Sequence, residues 1–125
     1  MKVFMMEKVR VSTLAGSGTA AHQDGAATSA QFHNPSGLAL DSSGNVYVAD
    51  RDNHRIRKIT KDDGTWMVST LAGNGMDGYQ DGVAAEAQFD FPTGVALDKS
   101  GNIYVSDYGN NRIRKITEED DGIGR

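Results

Sequence analysis

Displaced by 57 residues, the chain aligns with itself without a gap: residues 11–60 fall on residues 68–117, and 32 of the 50 pairs are identical. One supersecondary unit is therefore present twice, and units of this kind bury their apolar faces against copies of themselves. Any fold for the 125 residues must present equivalent surfaces at two places.

Within the unit, VSTLAG (11–16), GLALD (37–41), NVYVAD (45–50) and RIRKIT (55–60) are short and rich in β-branched or aromatic residues, and each reads as a strand. DSSGN, DRDN and KDDGTW between them carry turn chemistry, so the unit reads as an antiparallel meander. Fifteen glycines serve such turns, and with no cysteine the chain relies on packing rather than on disulfides or thiolate metal sites. Ile56 and Ile59 lie three apart and so face opposite sides of a strand, while Leu38 and Leu40 share one side with Ala39 on the other. Both faces of the sheet are expected to be covered, as in a propeller blade between its neighbours.

NPSGLALDSSGNVYVADRDNHRIRKI, with its second copy FPTGVALDKSGNIYVSDYGNNRIRKI, resembles the NHL repeat, whose blades form β-propellers, commonly of six blades. The resemblance covers nearly all of residues 11–117 and implies an all-β fold. It implies domains at 1–10 (an N-terminal extension), 11–67 and 68–117 (the two repeats) and 118–125 (an acidic tail). The repeat's Asn-His pair occurs at Asn53 and His54 but becomes Asn110 and Asn111 in the second copy, so the histidine is not required for a blade. Asn53, Asn110 and the arginines after them, Arg55 and Arg112, are read as structural. Asp50 is expected to pair with Arg55, and Asp107 with Arg112, across the turn.

Lettered a to d from axis to rim, the strands run d, a-b-c, d, a-b-c. Two blades do not close a ring. The first VSTLAG has no inner strands before it and the last RIRKIT has no outer strand after it, so residues 11–16 of one copy, through Val11, Thr13 and Leu14, are expected to pair with Ile113 and Ile116 of the next. A head-to-tail contact closes into a ring or runs on as a filament. Two, three or four chains give four, six or eight blades; six is what the resemblance favours, hence a C3 homotrimer as the expected assembly.

Function is expected on the long d-to-a loops (17–36 and 74–93), with Phe32 and Phe89 tucked inward as anchors. The candidate binding face comprises His22, Gln23, Asp24, His33, Asn34 and Arg51 in the first copy, and Tyr79, Gln80, Asp81, Asp90, Phe91 and Tyr108 in the second. Its ligand would be a protein or small molecule. GNGMDG (73–78) matches a dinucleotide fingerprint in letters, but the fingerprint needs the glycines to open a helix in a βαβ unit, and YQDGV follows instead. Asp50 and Asp52 lack the spacing of a calcium loop, and the three histidines lack zinc spacing, so neither metal nor cofactor is expected. The two RIRK runs raise nucleic acid, yet the long loops hold no lysine or arginine and the net charge is -4, so a solvated strand is preferred. No serine-histidine-acid set appears, and the chain reads as a binding or interaction scaffold rather than an enzyme. RNA binding and a metal-dependent lyase or hydrolase propeller are the alternatives. The N-terminal apolar run is too short for a signal peptide or a membrane span, from which a cytoplasmic location of the chain as given and no membrane partner are expected, a piece of a larger exported protein or an engineered unit without a natural ligand being the alternative.

Overall fold

A computed structural model describes residues 8–118; the first seven residues of the extension and most of the acidic tail lie outside the described residues. The chain is all-β with antiparallel sheets, in the order β1 (Gly25–Ala26), β2 (Pro35–Leu40), β3 (Val46–Asp50), β4 (Arg55–Asp62), β5 (Thr65–Ala72), β6 (Pro92–Leu97), β7 (Ile103–Asp107) and β8 (Arg112–Ile116). The first sheet runs β1-β5-β4-β3-β2 and the second β6-β7-β8. Strands a, b and c of each repeat are thus β2-β3-β4 and β6-β7-β8, and the second VSTLAG is the C-terminal part of β5, the outer strand of the first blade.

Two details depart from the sequence reading. The first VSTLAG forms no strand: Val11, Ser12, Thr13 and Leu14 are exposed, because among the described residues no strand lies beside them to pair their backbone groups. Conversely, the long loop is not all loop. Gly25 and Ala26 pair with Val68 and Met67 and add a fifth strand outside β5.

Each a-to-b turn is locked by one carboxylate. Asp41 Oδ1 accepts from the Ser43 and Asn45 backbone N–H groups, and Oδ2 accepts from the Asn45 amide and the Tyr47 hydroxyl at 3.0 Å. Asp98 repeats this with Ser100, Asn102 and Tyr104. The Asn45 amide first, then the backbone donors and Tyr47, hold the Asp41 carboxyl down at about 2, and Asp98 is lowered by the same set led by Asn102. A carboxyl whose folded pKa lies below its unfolded value stabilises the fold above about pH 4, and that contribution is lost as pH falls from there through about 2. The double variant Asp41→Asn/Asp98→Asn is therefore expected to be less stable at pH 7 and to lose less stability than the parent between pH 4 and 2, as followed by circular-dichroism melts. Parallel pH profiles for the two proteins would refute this.

The core lies in two layers. Ala27, Ala30, Val46, Val48, Ile59 and Val68 cover one face of the first blade, with Phe32 packed against them. Tyr47, Ala49, Ile56 and Ala72 on its other face meet Ala87, Phe89, Ile103 and Val105 of the second unit. Ile56 and Ile59 do face opposite sides. Each long loop thus lies over the face of its own blade that looks back toward the preceding one.

Candidate functional site

Strand c of each blade, β4 or β8, is tied to its own long loop by a buried arginine, and that arginine's acidic partner differs from the one expected. Asp50 lies opposite Arg55 in the strand register, but its carboxylate binds Arg57: Nη1 donates to Asp50 Oδ2 at 2.6 Å, with both side chains fully buried. Side chains two apart share a strand face, so Arg55 and Arg57 both had the right side; the loop decides between them. Arg57 gives its remaining donors to Gln31 O, Gln23 O and Asp24 Oδ1 at 2.7 to 3.2 Å. Asp50 accepts in addition from His33 N and from Asn53 Nδ2, which also reaches Ala21 O. In the second blade Arg114 holds Asp107, Gln88 O, Gln80 O and Asp81 at matching distances, and Asn110 bridges Asp107 to Gly78 O. Arg55 instead reaches Asn74 O, and Arg112 stacks on Tyr79, its guanidinium 3.8 Å from the ring centre. The RIRK runs accordingly carry one arginine each whose guanidinium donors are taken up within the chain.

The twelve loop residues divide into two groups. Gln23 and Asp24, with Gln80 and Asp81, form the clamp on Arg57 and Arg114, with His22 beside Asp24 and Tyr79 over Arg114. Asp24 Oδ2 accepts from Thr70 Oγ1 of the outer strand at 2.9 Å, and that hydroxyl in turn meets His22 Nε2 at 3.1 Å. The Thr70 proton goes to Asp24, so His22 donates; burial first, then Arg55 and Arg57, lower the His22 pKa and favour this neutral form. The other group sits by the b-to-c turns. His33, Asn34 and Arg51 gather round Asp52, with Asn34 Nδ2 and Arg51 Nε each 2.8 Å from its carboxylate and His33 Nε2 at 3.8 Å. Asp90 accepts from Gly109 N at 2.7 Å, Phe91 packs edge-on against His54 at 4.5 Å, and Tyr108 is exposed.

The feature that distinguishes the two blades is a groove. In the first blade β5 lies between β4 and β1, with Arg57 opposite Thr70 and Ile59 opposite Val68. In the second, a groove of about 880 Å³ runs between residues 112–117 and the loop at Asp81, Gly82 and Val83, where the corresponding strand would lie. The polypeptide that matches β5, residues 11–14, projects from the other end of the chain. Its exit geometry is set: Gly16 N and Ser17 N donate to Ala27 O and Ala30 O at 2.9 and 2.8 Å, as Gly73 N and Asn74 N donate to Ala84 O and Ala87 O. Both end faces carry exposed apolar side chains. Leu38 and Leu40 on the first blade are 63% and 59% exposed, whereas their counterparts Val95 and Leu97 pack into the interface between blades. Ile113 on the last face is 72% exposed, whereas its counterpart Ile56 is fully buried. Of the residues expected to join copies, Val11, Thr13, Leu14 and Ile113 are thus exposed, and Ile116 lines the groove.

A signal for the clamp was present in the sequence. QDG (23–25 and 80–82) and AQF (30–32 and 87–89) are the runs of two or more residues identical between the two loops, and Gln23, Asp24 and Gln31 are the loop groups that hold Arg57.

Comparison with known proteins agrees with this architecture. The NHL repeat profile matches residues 32–59 and 89–116, so the chain carries two NHL repeats. It is 37% identical over 93 residues to Protein SUPPRESSOR OF QUENCHING 1, chloroplastic, of Arabidopsis thaliana, covering 74% of this chain and 9% of that protein. It is 34% identical over 95 residues to human NHL repeat-containing protein 3, covering 74% and 24%. A probable peptidyl-alpha-hydroxyglycine alpha-amidating lyase of Caenorhabditis elegans is 38% identical over 86 residues, covering 68% and 23%. Among solved structures, a protein of unknown function from Bacteroides thetaiotaomicron superposes with a TM-score of 0.75 at 32% identity, covering 81% of this chain and 26% of that one. An auxiliary nutrient binding protein from the same organism gives 0.69 at 32% identity, covering 80% and 26%. The chain spans about a quarter or less of the length of each of these relatives.

Proposed function

We propose that this pair of NHL repeats is a propeller-building unit: copies join head to tail, residues 11–14 of one filling the groove beside β8 of the next, and close into a ring that serves as a non-enzymatic binding scaffold. The observation that carries this reading is the identity of VSTLAG (11–16), whose first four residues are exposed, with the segment seated beside β4 in the first blade. A sheet edge takes an added strand through its backbone groups, with side chains setting the register. By the first blade's register, Thr13 would lie opposite Arg114 and Val11 opposite Ile116. Leu38 and Leu40 of one copy would then pack against the face of its neighbour that carries Tyr104 and Ile113, as Val95 and Leu97 pack against the cluster containing Tyr47 and Ile56 within the chain. In a longer chain the following repeat would fill the same groove.

Three copies give the six blades common among NHL propellers. The loop face, with the His33, Asn34 and Arg51 cluster alternating with Phe91 and Tyr108, is where the scaffold would meet a protein or small molecule; similarity to an auxiliary nutrient binding protein supports that role. Light scattering of the purified chain should give three times its 13.4 kDa. The variant Val11→Pro/Thr13→Pro should run as a folded monomer, because proline cannot donate to a sheet and residues 11–13 are exposed within the chain. A wild-type monomer, or a proline variant of unchanged mass, would sink the proposal.

A further inference from the structure

The groove beside β8 has a chemistry of its own, set by Asp81. In the first blade the equivalent Asp24 uses Oδ1 for Arg57 and Oδ2 for the hydroxyl of Thr70 in the seated strand. In the second blade Asp81 Oδ1 likewise accepts from Arg114 Nε and Nη2, but Oδ2 accepts from the Tyr79 hydroxyl at 3.0 Å. The Tyr79 ring lies over the guanidinium groups of Arg112 and Arg114, at 3.8 and 4.9 Å. Arg55, the counterpart of Arg112, donates to Asn74 O just beyond the seated strand. A strand entering the second groove in the same register therefore brings a side chain to the oxygen that Tyr79 holds, and a backbone carbonyl within reach of Arg112.

We infer that this groove is a sequence-reading peptide site: it takes an extended segment of the pattern apolar-Ser-Thr-apolar-Ala-Gly, Asp81 selects the hydroxyl of the threonine, and Tyr79 is the internal competitor for that carboxylate. The inference rests on the head-to-tail reading for its natural occupant, but it concerns recognition of a peptide as such, including one free in solution. Backbone pairing to β8 supplies affinity without regard to sequence, and the hydroxyl to Asp81 supplies the discrimination. A hydrogen bond to a charged group separates a threonine from an isosteric valine by about tenfold or more.

The test uses the full-length Val11→Pro/Thr13→Pro chain, whose own donor segment is blocked, and a fluorophore-labelled synthetic peptide with the sequence of residues 10–17. Anisotropy should report saturable binding, weakened about tenfold when the peptide carries Thr13→Val. Adding Asp81→Asn to the receptor should bring the two peptides to within about twofold of each other, and Tyr79→Phe, which removes the competing hydroxyl but keeps the ring, should tighten the threonine peptide several-fold. Equal affinity of the threonine and valine peptides for the Asp81 receptor overturns the inference, as does absence of binding. Either result could accompany a wild-type chain that assembles, which would leave the ring standing. Threonine-selective binding alongside a wild-type chain that stays monomeric would support the site and remove the ring.

Discussion

Arg57→Met should lower the stability of the chain by about 3 to 5 kcal/mol, as expected for removing one partner of a buried ion pair. The side chain is fully buried, and all five of its N–H donors are used: two carboxylates and two loop carbonyls accept them. Methionine fills much of the volume but leaves Asp50, itself fully buried, with a charge that Asn53 and the His33 N–H alone must satisfy. It also releases Gln23 O and Gln31 O, so the long loop loses its tie to β4. Arg57→Lys should recover little, since a single ammonium offers three donors from one point where a planar fork of five is required. Urea unfolding followed by circular dichroism measures both, and a loss below about 1 kcal/mol for Arg57→Met would mean that the pair is not buried in solution.

The second large effect tests symmetry. Phe89 is 2% exposed, packed between the blades under the Arg114 guanidinium at 4.9 Å, and Phe89→Ala should cost about 3 to 5 kcal/mol, as deep aromatic truncations do. Phe32 holds the same place in the first unit, 4.7 Å from the Arg57 guanidinium, but only one side of its layer is covered within the chain. In the Val11→Pro/Thr13→Pro background Phe32→Ala should therefore cost clearly less than Phe89→Ala. On the head-to-tail proposal a neighbour covers that layer in the wild type, so the two costs should converge there, and the gap should depend on protein concentration because such an assembly is linked to folding. Denaturation at two concentrations decides this. Costs that stay unequal at the concentration of the full assembly would argue against equivalent interfaces.

Residues 37–60 and 94–117 were legible because strand signals there are local. β-branched runs alternate with turn residues, and the Asp41 and Asp98 turns are closed by groups within six positions of each carboxylate. The arginine clamp was not legible. Arg55 and Arg57 are indistinguishable by strand periodicity, and the groups that select Arg57, Gln31 O and Gln23 O, are 26 and 34 residues away. The same distance hid the division of the candidate site. His22 and Tyr79 look like free loop side chains, yet one contacts the outer strand and the other lies across an open groove.

VSTLAG marks the limit of what local sequence dictates. Written twice with the same six residues, it forms part of β5 at 68–72 and no strand at 11–14. Propensity is the same in both places; only the first blade offers the segment a neighbour on each side, β4 and β1, to take up its backbone donors and acceptors. The sequence alone determined the repeat, its strands, its turns and the number of units, because these follow from short-range pattern. Tertiary structure decided which arginine is buried, what covers each face and where a strand is wanted, because each of those depends on groups that only the folded chain brings together.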